Sequence, residues 1–204
     1  MILGGTFTEA GVIGLLVATV QFGTLLYLAA LGETISEKAG VLNLGVEGMM
    51  ATGAAMGFIV GVETGSPWMG LIGGAVAGAL LSLVHAAAAV GLGADQVVSG
   101  LALTFLGLGF ADFIGDDYAD DERRARFTDL EIPGLDDIPW VGEIVFRHSP
   151  VTYLAVIAGV VAWFVLNRTA IGLGLRAVGE TASTADAAGH SVVRLRFGAV
   201  AIGG

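Results

Sequence analysis

Apolar residues in this chain fall into long uncharged runs broken by short polar clusters, and the run lengths decide the element type. Gly11 to Gly32 carries no charge and would measure about 33 Å as a helix, close to the roughly 30 Å hydrocarbon core of a bilayer. Leu44 to Val62 forms a second run; a turn at Glu63 to Pro67 separates it from a third, Trp68 to about Leu92. Val97 to Ile114 is a fourth, with Asp112 near its end. Val151 to Leu166 is a fifth, short but adequate when flanking residues share the interface. The predicted fold is an all-α, polytopic integral membrane protein, a helical bundle of about five complete transmembrane helices forming one transmembrane domain over residues 1–204.

Two polar intervals interrupt the pattern. Residues 116–150 hold ten acidic residues, four arginines and three of the four prolines, which predicts a solvated loop. Within it Ile132 to Val141, with Trp140, is the part suited to dip back to the membrane interface. Residues 168–196 carry Arg168, Arg176, Arg194 and Arg196 against Glu180 and Asp186, so the positive-inside bias places this stretch in the cytoplasm. Counting back through five spans puts Ala94 to Gln96 and Glu33 to Gly40 on that same side, and the acidic loop and N-terminus outside. The final apolar stretch, FGAVAIGG, would cover only about 12 Å as a helix. It is expected to be the start of a sixth span in a C-terminally incomplete chain. The N-terminal run is too long for a signal peptide and lacks a basic region, so it is expected to stay in the protein.

Composition agrees with a membrane setting: 55% of residues are hydrophobic and mean hydropathy is +0.82. The net charge of -10 disfavours nucleic acid as a partner. Lys38 is the sole lysine; the other cations are arginines. An acidic, lysine-poor surface suits saline surroundings, and a GC-rich genome would leave a similar mark. With no cysteine, neither disulfides nor thiolate metal sites can form, and the three scattered histidines do not replace them. No metal or cofactor is expected.

Against this background the stretch AGVLNLGVEGMM, residues 39–50, stands out. Asn43 and Glu47 are one helical turn apart and would share a face, with Gly45 and Gly48 leaving the backbone close to a neighbour. A carboxylate in lipid costs roughly 2 to 4 kcal/mol, so it should face protein, water or a ligand. One reading makes Asn43 the cap of the second span with Glu47 in its first turn. A compatible reading makes Gly40 to Gly45 a break that lines a translocation path, because irregular backbone in a membrane is tolerated only inside protein or along a cavity. Gly53, Gly57 and Gly61, and Gly70, Gly74 and Gly78, form small-residue stripes for close helix packing. His85 is expected to be packed or hydrogen-bonded rather than a relay, and Asp112 to reach water.

Ala182 to Ala188 predicts a short exposed helix ended by Gly189. From there the sequence resembles a known family. The series RAVGE, ADAAG and VVRLRFGAVAIGG looks like the cytoplasmic coupling loop of permease subunits in binding-protein-dependent ABC importers. GETISEKAGVLNLGVEGMM and GADQVVSGLAL resemble stretches of the nucleoside and simple-sugar uptake branch.

The resemblance implies a non-enzymatic permease subunit working with a cytoplasmic ABC ATPase, a second permease subunit and an extracytoplasmic substrate-binding lipoprotein. It places Glu180 and Ala185, Asp186, Ala187, Ala188 and Gly189 in the coupling helix region, flanked by Arg176 and Arg194, and Asn43 and Glu47 in the segment that would line the path. The loop lacks the Leu-Pro pair that the broader superfamily carries after the glycine. The chain has no phosphate-binding G-x-x-x-x-G-K-[ST] loop, so the energy would come from a partner. The competing reading is an ATP-independent transporter or channel with Glu47, His85 or Asp112 as an ion or proton site.

Overall fold

The computed structural model describes residues 8–118, 125–136 and 138–204. Residues 119–124 and 137, parts of the acidic loop, lie outside them. Five helices are long and apolar enough to cross a membrane: α1 (Glu9–Lys38), α2 (Val46–Thr64), α3 (Pro67–Ala86), α4 (Gln96–Gly115) and α5 (Pro150–Arg168). All five expected spans are present: α1, α4 and α5 extend beyond their apolar runs, α2 begins and ends two residues later than its run, and α3 stops at Ala86. Three shorter helices follow: α6 (Ala170–Glu180), α7 (Ala182–Ala187) and α8 (Val192–Gly203).

Local signals set the helix ends. Gly65 closes α2 in the left-handed region at φ +65. One residue later the Ser66 hydroxyl accepts from the Met69 amide and Pro67 opens α3. Asp95 caps α4, its carboxylate accepting from the Val97 and Val98 amides at 2.9 Å. The third span ends in a widened π turn, Ala87–Gly91, and so reaches nearly to Leu92 as its apolar run requires.

The chain divides into two compact units. One comprises residues 1–28 and 127–160. It contains a two-stranded antiparallel ribbon, β1 (Leu130–Glu131) and β2 (Arg147–His148), with Leu130 opposite His148 and Glu131 opposite Arg147. His148 is fully buried there, its Nε2 donating to the Ile144 carbonyl at 2.8 Å.

The other unit comprises residues 29–126 and 161–204 and is built on close helix contacts. Gly53 and Gly57 of α2 face Gly74 and Gly70 of α3, where an added Cβ would lie only 2.7 Å from a facing carbonyl oxygen. Gly48 of α2 likewise meets Leu103, Thr104 and Gly107 of α4, and the Thr52 hydroxyl donates to the Gly107 carbonyl at 3.2 Å. The glycine stripes therefore serve packing. Large side chains such as Phe105 and Phe113 point outward, as expected where lipid replaces water. Two small apolar cores remain. Ala39, Leu166, Leu175 and Ala199 form one; Val41, Ala86 and Val200 form the other.

Candidate functional site

Between α1 and α2 the backbone is irregular. Gly40, at φ +77, turns the chain away from the end of α1, and α2 does not begin until Val46. Asn43 therefore stands off the helix, and the expectation that it shares a helical face with Glu47 does not hold. Asn43 is 2% exposed, whereas Glu47 is exposed in the first turn of α2. Nor does Asn43 cap α2: Gly45 occupies the cap position without a side-chain bond. Instead Asn43 Oδ1 accepts from the Gly45 amide at 3.0 Å, an Asx-type turn that folds the break upon itself. Its Nδ2 donates to Met49 Sδ at 3.3 Å.

The Ala39, Gly40 and Val41 amides return to carbonyls of Ser36 and Glu37, and other groups of this backbone are held by side chains from four helices. Arg196 Nε of α8 donates to the Ala39 carbonyl at 3.1 Å. The Leu42 amide donates to Gln96 Oε1 of α4 at 2.7 Å, and the Leu42 carbonyl accepts from His85 Nε2 of α3 at 3.1 Å. The Asn43 amide donates to Glu33 Oε1 of α1 at 2.8 Å. Thr104 of α4 donates to the Leu44 carbonyl at 2.9 Å. A carbonyl only accepts, so His85 carries its proton on Nε2 and Nδ1 receives the Ser99 hydroxyl at 3.2 Å. An unpaired polar group here would cost about 1 to 3 kcal/mol, so this lattice is what permits a break beside membrane helices. His85, 1% exposed, is a hydrogen-bonded core histidine with both ring nitrogens engaged. Asp112 is exposed on α4.

Sequence reasoning did not single out Glu33, Gln96, Ser99, Thr104 or Arg196 as partners of the break. A signal was present in GETISEKAG and GADQVVSGLAL, where polar residues cluster at the edges of apolar runs. The spacing alone does not say which backbone atoms they reach.

The second candidate region is the α6–α8 segment. Thr169 caps α6 by accepting from the Gly172 amide at 3.2 Å. The alanine-rich helix forms as expected, as α7, and Gly189 ends it at φ +88. Ala185 is buried at 3% exposure, while Glu180, Asp186, Ala187, Ala188, Gly189 and Arg194 are exposed. Arg176 is half-buried, and its Nε finds no hydrogen-bond partner among the described residues. A shallow groove of about 380 Å³ runs along α7 and the start of α8, lined by Ala182, Ser183, Asp186, Ser191, Val192 and Val193.

The two regions touch. A Cβ on Gly179 of α6 would run into the Lys38 carbonyl, and one on Gly40 would lie 3.2 Å from both the Gly179 Cα and Arg196 Nη2. The 39–45 break, the α3–α4 connection and the C-terminal end of α6 thus gather at one end of this unit. Among the described residues no group of three or more His, Asp or Glu side chains is placed to hold a metal ion.

Comparison with known proteins bears on what such an arrangement belongs to. A protein of Haloferax volcanii, provisionally named a glucose ABC transporter permease, is 47% identical over 195 residues, 94% of this chain and 59% of its own length. The guanosine ABC transporter permease of Bacillus subtilis is 40% identical over 198 residues, 92% of this chain and 62% of its own. The nucleoside ABC transporter permease of Lactococcus lactis is 32% identical over 193 residues, 90% of this chain and 61% of its own. The chain spans about three fifths of the length of these curated relatives. No solved structure gives a significant match. The family profile described as branched-chain amino acid transport system / permease component matches residues 15–204. With five membrane-crossing helices and that match over nearly its whole length, the chain belongs to this permease family of the ABC transporters and is a multi-pass protein of the plasma membrane.

Proposed function

We propose that this chain supplies half of the membrane pathway of an ATP-driven ABC importer that takes up nucleosides or simple sugars by alternating access. The observation that carries the reading is the packing of the α6–α8 segment directly on the irregular 39–45 backbone. An importer driven from outside the membrane needs a docking element and a deformable element in mechanical contact, and here the two adjoin. The gathering of Ala39, Gln96 and Gly179 at one end fits the positive-inside count, which puts all three in or beside the cytoplasm.

In this reading α7 is the helix on which a cytoplasmic ABC ATPase docks. Ala185 anchors it from beneath; Asp186, Ala187, Ala188 and Gly189 form the outer surface, Glu180 belongs to the same region, and Arg176 and Arg194 flank it. A second permease subunit completes the pathway, and an extracytoplasmic substrate-binding lipoprotein delivers the substrate. The chain does no bond chemistry, the ATP being hydrolysed by the partner.

Asn43 and Glu47 take different parts. Asn43 shapes the break from within, its side chain committed to Gly45 and Met49, while Glu47 stands exposed at the entrance of α2. The substrate class is supported by the relatives named for glucose, guanosine and nucleosides. Such neutral, hydroxyl-bearing solutes are bound through hydrogen bonds rather than by a cationic site.

The test is reconstitution of the full complex in liposomes, followed by ATP hydrolysis and uptake with nucleosides and with sugars. Stimulation by one of these classes, with uptake dependent on ATP, is expected. Uptake that follows an ion gradient and needs no ATPase would replace the reading with a secondary transporter or channel. His85 is a poor ion site for that alternative, since both of its ring nitrogens are occupied.

A further inference from the structure

We infer that the Ala39–Gly40 turn is the joint through which movement of the α6–α8 segment reaches α3 and α4, and that Arg196 is the positioning residue that holds the joint closed. This rests on the transport reading above and adds to it a named path and a named residue.

The joint is gripped from two sides. Arg196, half-buried near the start of α8, donates from Nε to the Ala39 carbonyl at 3.1 Å, and Ala39 itself is fully buried. Gly179, next to the last residue of α6, lies so close to Lys38 that a Cβ there would run into the Lys38 carbonyl, and a Cβ on Gly40 would lie 3.2 Å from the Gly179 Cα. Gly40 also needs its φ of +77, a conformation L side chains rarely adopt. The guanidinium sits where the end of α1 concentrates carbonyl oxygens, a position that favours a cation. No flexible side chain separates α6 from α1 here. A displacement of the α6 end must displace the turn.

Beyond the turn the chain has little slack. Two residues after Gly40, Leu42 is bound at its amide by Gln96 and at its carbonyl by His85. Asn43 is bound to Glu33, and Leu44 to Thr104. Val41, fully buried, packs with Ala86 and Val200, so α8 also meets α3 through the same stretch. Packed interiors move between discrete arrangements rather than stretching, so a shift of Ala39 is passed to α3 and α4 through these bonds. The measurement that tests this path reads coupling itself.

The experiment uses the full complex in liposomes, with Arg196→Met, which keeps much of the side chain's bulk and removes the donor, and Arg196→Lys, which keeps the charge but not the planar Nε. Gly179→Ala attacks the joint from its other side. The readout is solute taken up per ATP hydrolysed, measured on complex normalised for assembly. The expected result for Arg196→Met and Gly179→Ala is continued hydrolysis with that ratio reduced about tenfold, within the range of a typical coupling between sites, and a smaller reduction for Arg196→Lys. Uptake and hydrolysis falling together in proportion to assembled complex would make Arg196 a structural residue only and overturn the inference, as would an unchanged ratio. A wild-type complex without ATP-dependent uptake defeats the transport reading and this inference with it. A wild-type complex that transports beside coupled variants defeats the inference alone.

Discussion

His85 Nε2 lies 3.1 Å from the Leu42 carbonyl oxygen, joining the C-terminal half of α3 to a residue 43 positions earlier in the chain. Leu42 belongs to no helix, so its carbonyl has no partner along its own segment, and the histidine supplies it. On its other side the ring meets Ser99, which also has the Gln96 carbonyl at 3.3 Å.

This relationship predicts the effect of His85→Leu. Ser99 retains the Gln96 carbonyl, but the Leu42 carbonyl is left without a donor. The expected loss of stability is about 2 kcal/mol, read as a lower unfolding midpoint of the purified protein in detergent. An unchanged midpoint would show that the bond contributes nothing net.

Asn43 and Glu47 should separate folding from transport. Asn43→Ala orphans the buried Gly45 amide and should cost roughly 1 to 3 kcal/mol. Glu47→Gln changes an exposed side chain and should leave stability within about 0.5 kcal/mol of wild type. If Glu47 lines the path, uptake by the Glu47→Gln complex falls although its unfolding midpoint does not. Wild-type uptake would remove Glu47 from the path.

The glycines of α4 offer a test of close packing with an internal control. A Cβ on Gly107 would lie 2.6 Å from the Gly48 Cα, whereas one on Gly109, half a turn away, meets nothing within 4 Å. Gly107→Ala should force α2 and α4 apart at a cost of about 1 to 3 kcal/mol or more. Gly109→Ala should be neutral, or stabilising by up to about 1 kcal/mol through helix propensity. Equal behaviour of the two variants in a detergent melting series would contradict the interface.

On α7, docking and folding are likewise separable. Ala187 and Ala188 are exposed, so replacing both with glutamate should leave the fold intact while the ATPase no longer copurifies. Ala185→Glu puts a carboxylate at a position that is 3% exposed and should disrupt the segment itself. Normal copurification and normal hydrolysis-coupled uptake with Ala187 and Ala188 both replaced would remove α7 from the docking surface.

The sequence by itself determined the membrane class, the five spans and the α7 helix with its glycine stop. Each follows from a local property: apolar run length against bilayer thickness, or the backbone freedom of Gly65 and Gly189 at helix ends. Family membership was legible for the same reason, since its motifs are contiguous. Only the tertiary structure decided that Asn43 lies off the helix and away from Glu47, because the start of α2 is set by how the 39–45 break is satisfied, and helical spacing carries no information about that. It alone brought Glu33, His85, Gln96, Thr104 and Arg196 to five backbone groups between Ala39 and Leu44, Arg196 from 157 positions away. Hydrogen bonds that irregular backbone makes with distant side chains depend on how the helices pack, and periodicity along the chain does not encode that packing.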